Sequence, residues 1–333
     1  MSTFSALYRY LLVLIQGMAT VLITGGTGML GTSLTSYLRE HGHQVIIYSR
    51  SPKKAAPGGN PTYAYWDPEK GELDKDAFAA AEVLINLAGA GVADKRWTHS
   101  RKQEIIDSRV KSGELLVRSL NNIPNKIKTV LSASAIGWYG ADAVIPNPHP
   151  FRESDEAAPD FLGTTCQAWE NAILPAASAS RRLAIFRIGI VLSNTGGALA
   201  EFRKPVQWRI APVLGSGRQV VSWIHIKDLV RLFASAIEKP TLNGVFNAVA
   251  SNPVSNRRLM TTLGRIEKGS GFLSVPVPSF ALRLMLGEMS IEVLKSATVS
   301  NQKLINAGFQ FQFNELEAAL ADLKQNRKKN RDS

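Results

Sequence analysis

The sequence predicts an α/β protein: a doubly wound parallel sheet with helices on both faces, followed by a smaller C-terminal lobe. Three observations predict it. Short apolar runs alternate with longer amphipathic segments. An apolar run at 21–23 passes into Thr24-Gly25-Gly26-Thr27-Gly28-Met29-Leu30-Gly31, with glycines three apart. The 333 residues, 45% of them hydrophobic, are enough for one large core or for two lobes on one sheet.

Residues 1–17 read as a dispensable extension. Leu11-Leu12-Val13-Leu14-Ile15 is too short to span a bilayer, no small-residue cleavage pattern closes it, and Met18 stands just before a first strand beginning at Ala19. After that strand, Gly25 permits the tight turn, Gly28 lets the backbone approach a pyrophosphate, and Gly31 lets the next helix sit close to the sheet. An anion rests on the free N–H groups and positive end of such a helix, so Thr27, Met29 and Leu30 join the glycines as cofactor residues. The helix is expected to reach Glu40, and a strand at 44–48 completes a βαβ unit of dinucleotide-binding length. At the end of that strand an NAD-selective site places Asp or Glu, about 20 residues after the glycines, for the ribose 2′-OH. This chain instead reads Tyr48-Ser49-Arg50-Ser51-Pro52-Lys53-Lys54, with no carboxylate. Arg50, assisted by Ser49 or Ser51, suits the paired hydrogen bonds of a 2′-phosphate, which predicts NADP(H). Lys53 and Lys54 read as a solvated loop.

Further strands are expected at 62–66, 82–87, 127–133 and 182–188, with helices at 74–80, 98–120 and 161–177. Thr98 is the expected N-cap of the long helix, and its charges at 101, 102, 104, 107, 109 and 111 read as a wet face. Beyond Gly189, the segments 193–197 and 214–218 read as site-forming loops, and Asp228 as the cap of a helix at 229–238. From 252 to 322 the sequence is helix-rich, punctuated by Val275-Pro276-Val277-Pro278. The expected organisation is a core at 18–250, a lobe at 251–325 closing over the ligand edge, and a disordered basic tail at 326–333.

Thirty-nine basic residues against 27 acidic give a formal charge of +12. Outside the tail the basic residues are dispersed and accompany no nucleic-acid-binding motif, so nucleic acid is not the expected partner. Cys166 is the only cysteine, which rules out an intrachain disulfide and a cysteine metal cluster and fits a reducing, cytoplasmic setting. His41 and His43 lie in the turn after the first helix, and His99, His149 and His225 are scattered, so no metal-ligand spacing emerges.

The order of 24–31, then Asn86-Leu87-Ala88-Gly89, then Ser132-Ala133-Ser134-Ala135-Ile136-Gly137-Trp138-Tyr139-Gly140 resembles the extended short-chain dehydrogenase/reductase superfamily. More narrowly, Ala93-Asp94-Lys95-Arg96-Trp97, Gly215-Ser216-Gly217-Arg218-Gln219 and Ser222-Trp223-Ile224-His225-Ile226-Lys227-Asp228 resemble atypical YfcH-like epimerase-family proteins. Asn306-Ala307-Gly308-Phe309-Gln310-Phe311 is similar to that family's C-terminal domain of unknown function. The likeness runs from Met18 to about Leu323. It implies a Rossmann-type core, bound NADP(H), a cleft formed with a C-terminal substrate lobe, and a homodimer joined through two long helices. It names no substrate. It places Asn86, Leu87, Ala88 and Gly89 beside the adenine ribose, and Ser134 on the serine that hydrogen-bonds the substrate's reacting oxygen.

One part of the family pattern is missing. Hydride transfer to a carbonyl creates an alkoxide that needs a proton, and active relatives supply it from a Tyr-x-x-x-Lys pair whose lysine lowers the tyrosine's pKa. In Phe161-Leu162-Gly163-Thr164-Thr165-Cys166-Gln167-Ala168-Trp169-Glu170, Leu162 takes the tyrosine position and Cys166 the lysine position. Sliding by four gives Cys166 and Glu170 and recovers neither residue. Cys166, Trp169 and Ile173 share a helical spacing that suits a core-facing stripe. Tyr139, five residues after Ser134, is the remaining candidate acid. Arg109 and Lys111 offer a replacement positive charge or a solvated face. Arg218 and Trp223 are expected to line the substrate cleft, with His225 available, although Trp223 and Ile224 also read as strand core. The sequence thus points to an NADP(H)-binding oxidoreductase or epimerase-like protein for an unknown small molecule, with a catalytically silent NADP(H)-binding sensor or interaction protein as the alternative.

Overall fold

The computed structural model describes residues 18–53 and 58–332; the extension at 1–17 and Lys54 lie outside the described residues. In chain order the elements are β1 (Thr20–Thr24), α1 (Met29–Glu40), β2 (Gln44–Ser49), β3 (Thr62–Asp67), β4 (Glu72–Leu73), α2 (Lys75–Ala80), β5 (Val83–Asn86), α3 (His99–Asn122), β6 (Thr129–Ala135) and α4 (Phe161–Ile173). They continue with β7 (Arg182–Ile188), β8 (Ile190–Leu192), α5 (Ala198–Gln207), β9 (Ile210–Leu214), β10 (Val220–Val221), β11 (Trp223–His225), α6 (Ile226–Glu238), β12 (Gly244–Ala248), β13 (Val254–Ser255) and α7 (Asn256–Lys268). The C-terminal part adds β14 (Leu273–Val277), α8 (Ser279–Leu286), α9 (Ser290–Leu294), α10 (Gln302–Asn306) and α11 (Leu316–Asp332).

Eight strands form the main sheet in the order β12-β7-β6-β5-β1-β2-β3-β4. All neighbours run parallel except β4, which is antiparallel to β3. β1 lies between β2 and β5, with Val21 opposite Val45 on one side and Val83 on the other. The chain therefore leaves β1 in both directions across the sheet, and such a switch point opens a crevice at the carboxyl ends of the strands. One apolar layer joins Val21, Ile23, Leu34, Leu38, Leu229 and Phe233, placing α1 and α6 on one face. The other joins Leu22, Leu84, Phe78, Leu115, Leu116 and Ile173, placing α2, α3 and α4 on the opposite face. Burying each such side chain contributes about 1.5–3 kcal/mol, so the two layers hold the strand ends, and the crevice, rigidly.

The predicted strands and helices recur, with instructive differences at their ends. Thr98 does cap α3, its hydroxyl accepting from Arg101 N at 3.2 Å. α4 stops at Ile173 and tightens into a 3₁₀ turn at Leu174–Ala176, because Pro175 has no N–H to continue the α ladder. The face of α3 is not wholly wet: Arg101 and Arg109 are buried among the helix's charges. Asp228 is not the cap of α6. His225 takes that position, its Nδ1 accepting from Lys227 N at 3.1 Å, while fully buried Asp228 accepts from Gln312 N and Phe313 N at 2.8 and 2.9 Å and pairs with Arg231.

The C-terminal segment does not form a separate body after residue 250. β9 pairs with β14 and β10 with β13, so strands from both sides of the expected boundary share small sheets. Asp142, in the loop after β6, accepts from the Ser296 and Thr298 hydroxyls at 2.7 and 2.8 Å and from Thr298 N at 3.0 Å, tying this lobe to the main sheet. The basic stretch expected to be a disordered tail instead continues α11 through Asp332, and Arg327 pairs with Glu267.

Candidate functional site

The turn from β1 to α1 has the shape that its glycines require. Gly25 has φ of +68°, and a Cβ there would stand 2.7 Å from Leu87 O. A Cβ on Gly31 would stand 2.4 Å from Gly25 O, so α1 sits directly on the turn. Gly28 N donates to Gly25 O at 3.1 Å, and Thr27 and Gly28 are exposed. As the N-cap, Gly28 brings no side chain to the end of α1, so no side-chain cap competes for the leading N–H groups of Met29, Leu30 and Gly31. These groups and the helix dipole make a cradle for a phosphate. At the end of β2, half-buried Ser49 accepts from Ser51 N at 3.2 Å, and Arg50 is exposed with no ion pair among the described residues.

At the neighbouring end of β5, Gly89 is exposed, Leu87 is partly exposed and Ala88 is buried. Asn86 departs from expectation. It is fully buried: its Oδ1 accepts from Thr24 Oγ1 at 2.9 Å and its Nδ2 donates to Ser132 Oγ at 3.3 Å. The Asn86 side chain braces three strand ends and does not face a ligand. Thr24 Oγ1 also accepts from Leu87 N at 3.2 Å, which fixes the start of the loop that passes the glycine turn.

Ser134 and Tyr139, the expected catalytic pair, both lie inside a buried network. Ser134 Oγ donates to Glu170 Oε1 at 2.7 Å. Arg187 grips the same carboxylate with two parallel bonds, Nε to Oε1 at 2.8 Å and Nη2 to Oε2 at 2.9 Å, and both side chains are almost entirely buried. Tyr139, with no exposed surface, donates to Asn247 Oδ1 at 2.7 Å and accepts from Arg187 Nη1 at 3.1 Å. Burial pushes its phenol up to about 12. A phenol with no exposed surface and its proton donated to Asn247 does not meet a substrate. Tyr139 is therefore not the replacement acid, and Ser134's proton is committed to Glu170. Asn247 also donates to Ser300 O at 3.0 Å, so the network ties the end of β6 to the C-terminal lobe. In the sequence Glu170 stands out only as a failed match to the lysine position and Arg187 not at all, although an arginine inside the apolar run of β7 is a signal: a charge in a doubly covered strand requires a partner.

The tyrosine and lysine positions carry no substitute acid. Leu162 packs against the Gly137 turn, and Cys166 is 3% exposed with its thiol pushed up to about 12 by burial. Trp223 does not line a cleft. It is fully buried in the main core with its Nε1 donating to Asn252 O at 3.0 Å, because β11 pairs with β8 behind the sheet edge. His225 is buried too, stacked on Phe313 at 3.9 Å. Arg218 is exposed on the loop between β9 and β10. The C-terminal lobe reaches the loop after β5 at Arg96, which lies against Gly287, and reaches α3 at Lys102, which pairs with Glu288. Among the described residues, no group of three or more His, Cys, Asp or Glu could hold a metal ion, and no helix is long and apolar enough to cross a membrane.

Residues 21–248 match the NAD dependent epimerase/dehydratase family, and 277–323 match a domain of unknown function (DUF1731). The chain is 36% identical over 308 residues to epimerase family protein ML0860 of Mycobacterium leprae, covering 91% of this chain and 95% of that one. It is 34% identical over 308 residues to epimerase family protein YfhF of Bacillus subtilis, covering 92% and 99%. Among solved structures it resembles human epimerase family protein SDR39U1 (isoform2) with NADPH, with TM-score 0.80, 28% identity, and coverage of 92% of this chain and 99% of that one.

Proposed function

This chain belongs to the NAD dependent epimerase/dehydratase family, and we propose that it binds NADP(H) across the β1 switch point and acts as an oxidoreductase or epimerase-like enzyme on a small molecule. The observation that carries the reading is the turn itself. Gly25 and Gly31 leave no room for a side chain, the N-cap is bare, and the end of β2 offers an exposed Arg50 where an NAD site would place a carboxylate. The residues fit the cofactor. The leading N–H groups of α1 hold the pyrophosphate, Thr27 assists them, and Arg50 with Ser49 holds the 2′-phosphate. The NADPH in the human relative's structure supports that choice. A bound nicotinamide supplies hydride transfer, and the chain supplies position; Gly89, expected beside the adenine ribose, ends β5 on the far side of β1 from β2, so we read it with the nicotinamide half instead. Arg218, exposed on the loop between β9 and β10, remains the proposed cleft residue, and the buried free thiol of Cys166 accords with a reducing, cytoplasmic setting.

Calorimetric titration of wild type and Arg50→Ala with NADPH and NADH tests this. The expected result is at least tenfold preference for NADPH in wild type, largely lost in Arg50→Ala with NADH affinity unchanged. Equal affinity for both cofactors, or an unaltered preference in the variant, would overturn the selectivity argument. A second reading, a catalytically silent NADP(H)-binding protein, is favoured by one observation: Ser134 and Tyr139 are both locked in the Arg187–Glu170 network while Leu162 and Cys166 hold the acid positions.

A further inference from the structure

Four arginines of the described structure are buried: Arg101, Arg109, Arg187 and Arg203. Three of them meet a carboxylate, at 2.7 Å for Arg101 with Glu104, 2.8 Å for Arg187 with Glu170 and 3.1 Å for Arg203 with Glu267. Arg109, 8% exposed, meets none among the described residues. Its Nη1 donates to Ala90 O at 3.0 Å and to Ile105 O at 2.9 Å, and its guanidinium lies 4.8 Å from the Trp169 ring centre. Among the described residues its Nε and Nη2 have no hydrogen-bond partner. The charges around it do not balance it: Arg101 repels it, and Cys166 stays a neutral thiol near pH 7. A buried cation with no counter-charge is costly unless an anion reaches it.

The position of Arg109 says which anion. Its guanidinium carbon lies 3.0 Å from where a Cβ on Gly89 would stand, at the open end of β5. With the adenine half over β2, a dinucleotide crossing the switch point carries its other half over β5 and β6. The pyrophosphate is held from α1, in the opposite helix layer from α3, and the nicotinamide riboside half bears no negative charge. We propose that Arg109 receives the oxyanion, a carboxylate or phosphate, of the substrate, so that this crevice takes anionic small molecules. The proposal rests on the cofactor reading above. Arg109 then does two things at once: it holds the loop after β5 through Ala90 O, and it presents two free donors to the ligand in the fork geometry suited to an oxyanion.

The test is a calorimetric titration of NADPH-saturated protein with malonate and, separately, with inorganic phosphate, using wild type, Arg109→Gln and Gly89→Ala. Wild type is expected to bind at least one probe with 1:1 stoichiometry while retaining NADPH. Arg109→Gln should weaken that binding at least tenfold. Gly89→Ala keeps the charge but crowds the guanidinium, and should weaken it several-fold; it carries the test if thermal melting shows that Arg109→Gln does not fold. The proposal is overturned if Arg109→Gln binds the probe as wild type does, if neither probe binds wild type, or if the probe expels NADPH. Failure of wild type to take up NADPH in the first step overturns the cofactor reading, and this proposal with it; uptake of NADPH with an indifferent Arg109→Gln overturns the proposal alone.

Discussion

Replacing Ser134 or Glu170 should damage stability far more than cofactor binding. Glu170 accepts two bonds from Arg187, at 2.8 and 2.9 Å, and one from Ser134 at 2.7 Å, all out of water. Glu170→Gln keeps the shape but leaves the Arg187 guanidinium buried without its counter-charge, a loss of about 3–5 kcal/mol. Ser134→Ala removes one hydrogen bond to a charged acceptor, about 1.5–3 kcal/mol, while the ion pair survives. Because the Ser134 hydroxyl acts through the Glu170 carboxylate that the other substitution removes, the double variant should lose less than the sum of the singles, by about 0.5–3 kcal/mol. Urea unfolding followed by tryptophan fluorescence and by far-ultraviolet circular dichroism gives these differences. NADPH affinity of the folded variants should stay within about twofold of wild type. The reasoning is refuted if Ser134→Ala unfolds within about 0.5 kcal/mol of wild type and abolishes NADPH-dependent turnover; Ser134 would then be a catalytic group and the network incidental.

Two further outcomes follow from the geometry. Gly31→Ala drives a Cβ to 2.4 Å from Gly25 O and 2.5 Å from Gly26 Cα, backbone that cannot yield without reshaping the turn, so NADPH affinity should fall at least tenfold, whereas Gly26, whose Cβ would press on the Ile47 side chain at 2.8 Å, should as alanine cost stability more than affinity. Burial lowers the His225 pKa to about 4 against the pull of Asp322. The unfolded chain therefore binds a proton that the folded one refuses between the unfolded value and about pH 4. Stability contributed here is complete above about pH 6.5 and declines as pH falls through that window. The decline should be shallower in His225→Gln, measured by melting temperature against pH, and an identical slope in both proteins would contradict it.

The strands and helices were legible because their signals are local: apolar runs of strand length, glycines three apart, and Thr98 opening a charged helix. The cofactor cradle was legible for the same reason, since Gly25, Gly28 and Gly31 carry their constraints in the backbone. What was not legible depends on residues far apart in the chain. Tyr139 reads as a free acid in its own segment, and only its contact with Asn247, 108 positions away, shows it buried. Asn86 reads as a ligand residue until Thr24 and Ser132 are seen to claim its amide. Trp223 reads as cleft or core from its own segment, and the pairing of β11 with β8 places it in the core. Arg109 and Arg101 look alike on the long helix, and they separate only when Glu104 is seen to pair with Arg101 while Arg109 meets no carboxylate among the described residues.

The most direct measurement is a crystal structure of the protein with NADPH. The pyrophosphate is expected on the N–H groups at the start of α1, the 2′-phosphate on Arg50 and the nicotinamide half over Gly89, with neither Ser134 nor Tyr139 in contact with the cofactor. A 2′-phosphate held away from Arg50, or a nicotinamide ring hydrogen-bonded by Ser134 or Tyr139, would contradict it.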